Sequence, residues 1–152
     1  MIIYIDMDGV IADFSSWMKS HIPDIDEDMW RGTDKPWNVM KENYKEVYLN
    51  LKPLHLLSHA NYMYNNLEHV KFLTAIPHSW WDTHEGEIAK LNKTTWLNQH
   101  INNFKDEDVI FTAGAKDKVK YANESSVLYD DREDTIQAWN AAGGIGIHVK
   151  GI

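Results

Sequence analysis

Apolar residues along the chain fall into short runs separated by longer amphipathic stretches. Ile2–Ile5, Val70–Leu73, Val109–Phe111, Val127–Tyr129 and Ile145–Val149 are brief, rich in β-branched and aromatic residues, and not cleanly alternating. That is the pattern of strands covered on both faces. Three intervening stretches read as helices. Pro53 to Leu67 opens with a proline suited to a first turn. Thr83 to Ile101 carries Ile88, Leu91 and Trp96 at helical intervals, and Asp134 to Ala142 carries Ile136 and Trp139 ahead of Gly143-Gly144. Strands alternating with helices predict an α/β fold: a three-layer, Rossmann-like parallel sheet with right-handed crossovers.

One stretch departs from this rhythm. Phe14 to Leu51 contains no convincing strand but holds Trp17, Trp30, Trp37, Tyr44 and Tyr48 among polar residues. It is too long for an ordinary crossover, so it reads as a small helical cap inserted after the first strand, over one end of the sheet. Residues 14–65 are assigned to this cap and residues 1–13 and 66–152 to the core, as a single structural unit.

Composition narrows the function classes. A chain of 152 residues is expected to form one compact domain. It has no cysteine, which excludes a disulfide framework, a thiol nucleophile and cysteine zinc sites, and which fits a reducing, cytoplasmic setting. Fifteen Lys+Arg against 23 Asp+Glu leave a net charge of −8, unfavourable for wrapping a nucleic-acid polymer. The apolar start Met1–Ile5 ends at Asp6, too short for a secretion signal or a membrane span. Asn92-Lys93-Thr94 and Asn123-Glu124-Ser125 match the glycosylation pattern but are discounted without such a signal.

In a parallel sheet, ligands bind beyond the carboxyl ends of the strands. The first predicted strand runs into Asp6-Met7-Asp8-Gly9-Val10, the second into Thr74-Ala75 and the fourth into Asp130-Asp131. Four carboxylates gathered at one edge repel and call for a cation. Oxygen ligands alone make Mg²⁺ the natural candidate. Asp6 and Asp8 are alternate residues, so an extended strand end would put them on one side, and Gly9 permits a sharp turn. The competing interpretation makes Asp6 and Asp8 helix caps and Asp130-Asp131 a turn.

These residues carry a resemblance. Asp6-Met7-Asp8-Gly9-Val10 resembles the first motif of the haloacid dehalogenase superfamily of aspartate-nucleophile phosphatases. Leu73-Thr74 resembles its second motif and Leu128-Tyr129-Asp130-Asp131-Arg132 its fourth. The stretch Asp6 to Phe14 and the tail from Asp130 to Gly144 are similar to the 5′(3′)-deoxyribonucleotidase branch. The resemblance implies a Mg²⁺-dependent phosphomonoesterase acting on a nucleoside monophosphate. In it Asp6 is the nucleophile and Asp8 the general acid and base. Thr74 hydrogen-bonds the phosphate, and the metal sits among Asp6, the Asp8 carbonyl, Asp130 and Asp131, with Asp131 the first choice of direct ligand. The family's phosphate-neutralising lysine has three candidates: Lys93 fits the pattern best, with Lys118 and Lys116 as rivals.

With one lysine and one Mg²⁺, four aspartates leave the site at −1, from which a protonated Asp8 is expected in the productive complex. By resemblance the cap contacts the leaving group, with Phe14, Trp30, Trp37 and Tyr48 as candidate base contacts. Each can alternatively pack the cap onto the core. The serine that often follows the motif threonine is replaced by Ala75, also counted among the substrate contacts. Two readings compete with nucleotide hydrolysis: the same chemistry on another small phosphoester such as a sugar phosphate, and a catalytically silent metal- or nucleotide-binding module. No membrane partner is expected, and the oligomeric state is left open, a homodimer included. Asp24-Ile25-Asp26-Glu27-Asp28 begins like a calcium loop but lacks its glycine and closing glutamate, and His55 with His59 has no third ligand.

Overall fold

The computed structural model describes residues 1–150; residues 151 and 152, assigned above to the core, lie outside the described residues. Strands β1 (Ile2–Ile5), β2 (Val70–Ile76), β3 (Val109–Ala113), β4 (Ser126–Asp130) and β5 (Ile145–His148) form one parallel sheet in the order β3-β2-β1-β4-β5. The chain winds outward from β1 through β2 to β3, then returns to the other side of β1 for β4 and β5. That reversal creates a crevice beside the carboxyl end of β1. Register levels the central strands there: Ile5 pairs with Phe72 on one side and Tyr129 on the other.

The pleat divides the core into two. Ile3, Ile5, Val70, Phe72 and Ile76 face α4 (Leu56–Asn66) and α5 (His84–His100), which contribute Ala60, Met63, Ala89 and Trp96. Tyr4, Leu73 and Leu128 face α6 (Glu133–Ala141), which contributes Ile136 and Trp139. A 3₁₀ segment, Ala115–Tyr121, covers the same face, with Tyr121 packed there.

Two packing expectations need correction. Leu91 is 60% exposed, because the buried face of α5 runs through Ala89, Asn92, Lys93, Trp96 and Leu97. β5 is not covered on both faces: Ile145 and Ile147 are exposed while Gly146 lies against Ile136, whose Cγ2 would stand 2.9 Å from a Cβ at that position. An edge strand with one neighbour keeps one apolar face open.

The segment between β1 and α4 forms three short helices, α1 (Phe14–His21), α2 (Glu27–Gly32) and α3 (Lys35–Glu42), followed by turns. Asp13 and Asp26 start the first two by accepting from Ser16 N at 3.0 Å and Met29 N at 2.9 Å. Asp26 is thus a helix cap in the calcium-loop-like stretch. Met18, Ile22, Met40, Val47 and Leu51 join the same core cluster as Ile5 and Phe72. Among the described residues no helix is long and apolar enough to cross a membrane.

Candidate active site

Strand alternation determines which way each strand-end side chain points. Asp6 shares the parity of Tyr4 and Asp130 that of Leu128, so both face the α6 side. There they meet Lys118, whose Nζ lies 2.9 Å from Asp6 Oδ1 and 2.7 Å from Asp130 Oδ2. Thr74 shares the parity of Phe72 and faces α5. Lys93 reaches it from that helix, with Nζ 2.6 Å from Thr74 Oγ1 and 2.8 Å from Asp8 Oδ2.

Asp6 and Asp8 therefore do not share a side, contrary to the expectation from their spacing. The strand ends at Ile5, and three amides (Val10, Ile11 and Ala12) donate to the Met7 carbonyl at 3.1, 2.9 and 3.0 Å, turning the chain over. Gly9 sits at φ +79° in this turn, and a Cβ there would stand 2.0 Å from Asp131 Oδ2. Glycine is needed on both counts, conformation and close approach.

The structure brings two lysines into the site. Lys93 and Lys118 are both fully enclosed, whereas Lys116 is exposed on the outer side of its 3₁₀ turn. Three residues per turn place Lys118 on the inward side with Tyr121 and leave Lys116 outside. The sequence pattern favours Lys93 over Lys118 and carries no sign that Lys118 bridges Asp6 to Asp130. The position of Lys118 shortly after β3 is legible in the sequence but is shared with Lys116, so nothing local singles it out.

Charge governs the rest of the centre. Asp6 is raised well above the usual carboxylate range, first by burial and then by the Asp130 carboxylate, with Lys118 pulling the other way. Burial works against the Lys118 charge, but Asp6 and Asp130 outweigh it and hold the ammonium above the ordinary lysine range. Asp131 is pushed up to about 6, by burial first and Asp130 second. Asp130 is further fixed by the Arg132 amide, which donates to its Oδ1 at 3.0 Å, and the Asp131 carbonyl contacts the His148 ring at 3.0 Å.

Oxygens from Asp6, Asp130 and Asp131 lie within 4.8 Å of one another. Ligands on opposite sides of a six-coordinate Mg²⁺ stand roughly 4.2 Å apart, so an all-oxygen set on this scale fits that ion. Asp131 has no ion-pair partner among the described residues, which leaves it as an unbalanced carboxylate facing the cluster. Asp8 contributes no side-chain oxygen to this group; its carboxylate is committed to Lys93.

The aromatic candidates separate. Tyr48 is 4% exposed and lies against Lys93, whose Nζ is 4.3 Å from the ring centroid. Phe14 is half-buried and stacks on Tyr48 at 6.1 Å between centroids. Trp30 lies 6.2 Å from Phe14 and packs edge-on against Trp37, which is 42% exposed. Ala75, one residue after Thr74, is half-buried within β2 and points to the opposite face of the sheet. His55 and His59 are both exposed on the outside of α4.

No protein-family model matches the sequence, and no curated protein matches it. The fold, however, is shared with solved hydrolases. A haloacid dehalogenase-like family hydrolase from Streptococcus pneumoniae aligns with a TM-score of 0.51 at 9% identity, over 97% of this chain and 83% of that one. A second hydrolase from Streptococcus pneumoniae gives 0.51 at 14%, over 99% and 93%. A haloacid dehalogenase-superfamily hydrolase of subfamily IA, variant 1, from Geobacter sulfurreducens gives 0.51 at 12%, over 97% and 88%. The chain thus has the fold of haloacid dehalogenase-like hydrolases, with its acidic strand tips at the switch point of the sheet.

Proposed function

We propose that this protein is a Mg²⁺-dependent phosphomonoesterase that hydrolyses deoxyribonucleoside monophosphates through an aspartyl-phosphate. The observation that carries the proposal is the convergence of Asp6, Asp8, Thr74, Lys93 and Lys118 beside the acidic trio. An Asp6 carboxylate oxygen attacks phosphorus as the bond to the leaving alkoxide breaks, and Asp8 gives its proton to that alkoxide. Asp8 then takes a proton from the water that attacks the acyl-phosphate, which regenerates Asp6 and releases inorganic phosphate. Lys93 and the Thr74 hydroxyl hold phosphate oxygens against Asp6. Lys118 stabilises the negative form of Asp6 and keeps Asp130 in place. Asp6, Asp130 and Asp131 would hold Mg²⁺, which when bound neutralises phosphate charge and favours ionised Asp6.

The nucleotide preference rests on the aromatic wall. Phe14, Trp30 and the exposed Trp37 form a continuous run of rings leading away from the phosphate site. Each stacked ring can contribute about 1–3 kcal/mol toward holding a base. The test is phosphate release from a panel of deoxyribonucleoside 5′- and 3′-monophosphates, ribonucleotides and sugar phosphates. Expected is turnover with Mg²⁺, none with EDTA, none with Asp6→Asn, and preference for the deoxyribonucleotides. Preference for sugar phosphates would overturn the substrate assignment, and no release from any ester would overturn the catalytic one.

A further inference from the structure

Lys93 occupies a place where lysines are seldom found, fully enclosed in the middle of α5. A buried ammonium needs partners on every side. Thr74 and Asp8 supply two, both at the strand tips. The third wall is the Tyr48 ring, contributed by the segment inserted between β1 and α4. We propose that Tyr48 is a positioning residue: its ring face holds the Lys93 ammonium against Thr74 and Asp8. The proposal rests on the phosphomonoesterase reading only for what the ammonium does once held.

The local architecture is built to present that ring. Asn92 Nδ2 donates to the Lys45 carbonyl at 2.9 Å, and Trp96 Nε1 donates to the Leu51 carbonyl at 2.8 Å. The residues flanking Lys93 on α5 thus grip the chain on both sides of Tyr48. Phe14 stacks behind the ring with an interplanar angle of 24°. The Tyr48 hydroxyl bonds to no protein group among the described residues, so the ring accounts for the fit. An ammonium over an aromatic face is attracted by the ring quadrupole, most strongly when water is excluded.

Restraint of Lys93 has a consequence one bond further on. Because Lys93 donates to Thr74 Oγ1, the threonine's own proton is directed elsewhere, free to meet a phosphate oxygen. A lysine that drifts loosens that hydroxyl and the Asp8 carboxylate together. The effect falls mainly on kcat, since the fixed geometry is needed as charge develops in transfer.

The test compares wild type, Tyr48→Phe, Tyr48→Leu, Tyr48→Met, Lys93→Met and the Tyr48→Leu/Lys93→Met double variant, with melting curves to establish folding. Tyr48→Phe keeps the ring and should hold kcat/KM within about threefold. Tyr48→Leu should lower it about 10- to 30-fold, chiefly through kcat. Tyr48→Met, which is unbranched, carries the same expectation should the leucine variant fail to fold. In the double variant the loss should be no greater than for Lys93→Met alone. Losses that multiply, a Tyr48→Phe as poor as Tyr48→Leu, or leucine and methionine variants as active as wild type would overturn the proposal. A second readout does not depend on turnover. Lys93 acetylation by acetic anhydride, followed by mass spectrometry, should accelerate in the leucine and methionine variants but not in Tyr48→Phe. Equal rates throughout would overturn the positioning role even if phosphatase activity is present. An inactive wild type, with labelling still accelerated in the leucine and methionine variants, would overturn only the catalytic reading.

Discussion

Replacing Lys118 with methionine removes one charge at nearly constant volume, which isolates the electrostatics of the acidic cluster. The ammonium lies 2.9 Å from Asp6 and 2.7 Å from Asp130, with 2% of its side chain exposed. At an effective dielectric near 20, each pair carries roughly 6 kcal/mol of attraction. Most of this is cancelled in the folded protein by the desolvation of three charged groups. The variant loses the attraction but keeps both carboxylates buried, a change that costs about 3–5 kcal/mol. The loss depends on pH with a definite sign. Burial and then Asp130 already raise Asp6 in the presence of Lys118. Without the ammonium the folded carboxylates rise further, so the folded state holds a proton that the unfolded chain releases near pH 4. The unfolded state then binds fewer protons, and stability falls as pH rises from about 4 to the raised folded value, by roughly 1.4 kcal/mol per unit for one proton. Urea denaturation in EDTA should show a deficit against wild type of about 3–5 kcal/mol at pH 8, shrinking to about 1–2 kcal/mol at pH 5. A deficit under about 1 kcal/mol at pH 8, or one equal at both pH values, would refute the electrostatic account of Lys118.

Further outcomes follow from the same geometry. Asp8→Asn should lower turnover by at least about 10²-fold through loss of the proton donor, while leaving Mg²⁺-induced stabilisation nearly intact; loss of that stabilisation would show that Asp8 belongs to the metal set through its side chain. Mg²⁺ at about 100 times its dissociation constant should stabilise wild type by about 2.7 kcal/mol, a rise in Tm of roughly 5–10 °C for a chain this size. Asp131→Asn should remove most of that rise. It should also increase the metal-free Tm at pH 8, because a carboxyl raised to about 6 in the folded state destabilises the protein progressively from about pH 4 and fully above about 6. A variant that keeps the full Mg²⁺ shift would exclude Asp131 as a ligand.

The frame of the molecule was readable because strands and loops differ in composition. All five predicted strands appear, with ends shifted by only a few residues where polar residues continue a ladder, as Thr74 and Ala75 do in β2. The acidic tips were legible for the same reason: a carboxylate directly after an apolar run has few structural uses. What could not be read depended on where the chain turns. Asp6 and Asp8 look equivalent in sequence, and only the Met7 turn separates them onto opposite faces. Lys93 was assignable to a helix, but its burial was hidden because Asn92 and Lys93 interrupt the apolar stripe of α5. Lys116 and Lys118 could not be told apart without knowing that their segment has three residues per turn. Tyr48 was visible as an aromatic in an insertion, yet its partner lies 45 positions away, and no local periodicity encodes that pairing.

The pleat and the Met7 turn together therefore do chemical sorting. Four carboxylates that would repel in one cluster are divided: Asp6 and Asp130 surround Lys118 with Asp131 beside them, and Asp8 pairs with Lys93 on the other face. The count that leaves the site at −1 assumed one lysine. With two, four carboxylates and two ammonium groups leave −2, which a single divalent ion brings to neutrality. For the proposed phosphoester substrate the site is then neutral with Asp8 ionised and +1 with Asp8 protonated, as the acid step requires, so neither form repels a dianion within a chain of net charge −8. The proton on Asp8 matters only when the leaving alkoxide departs, which separates the demands of binding from those of bond cleavage. That separation is available only if each aspartate of the first loop has its own lysine, one from α5 and one from the turn after β3.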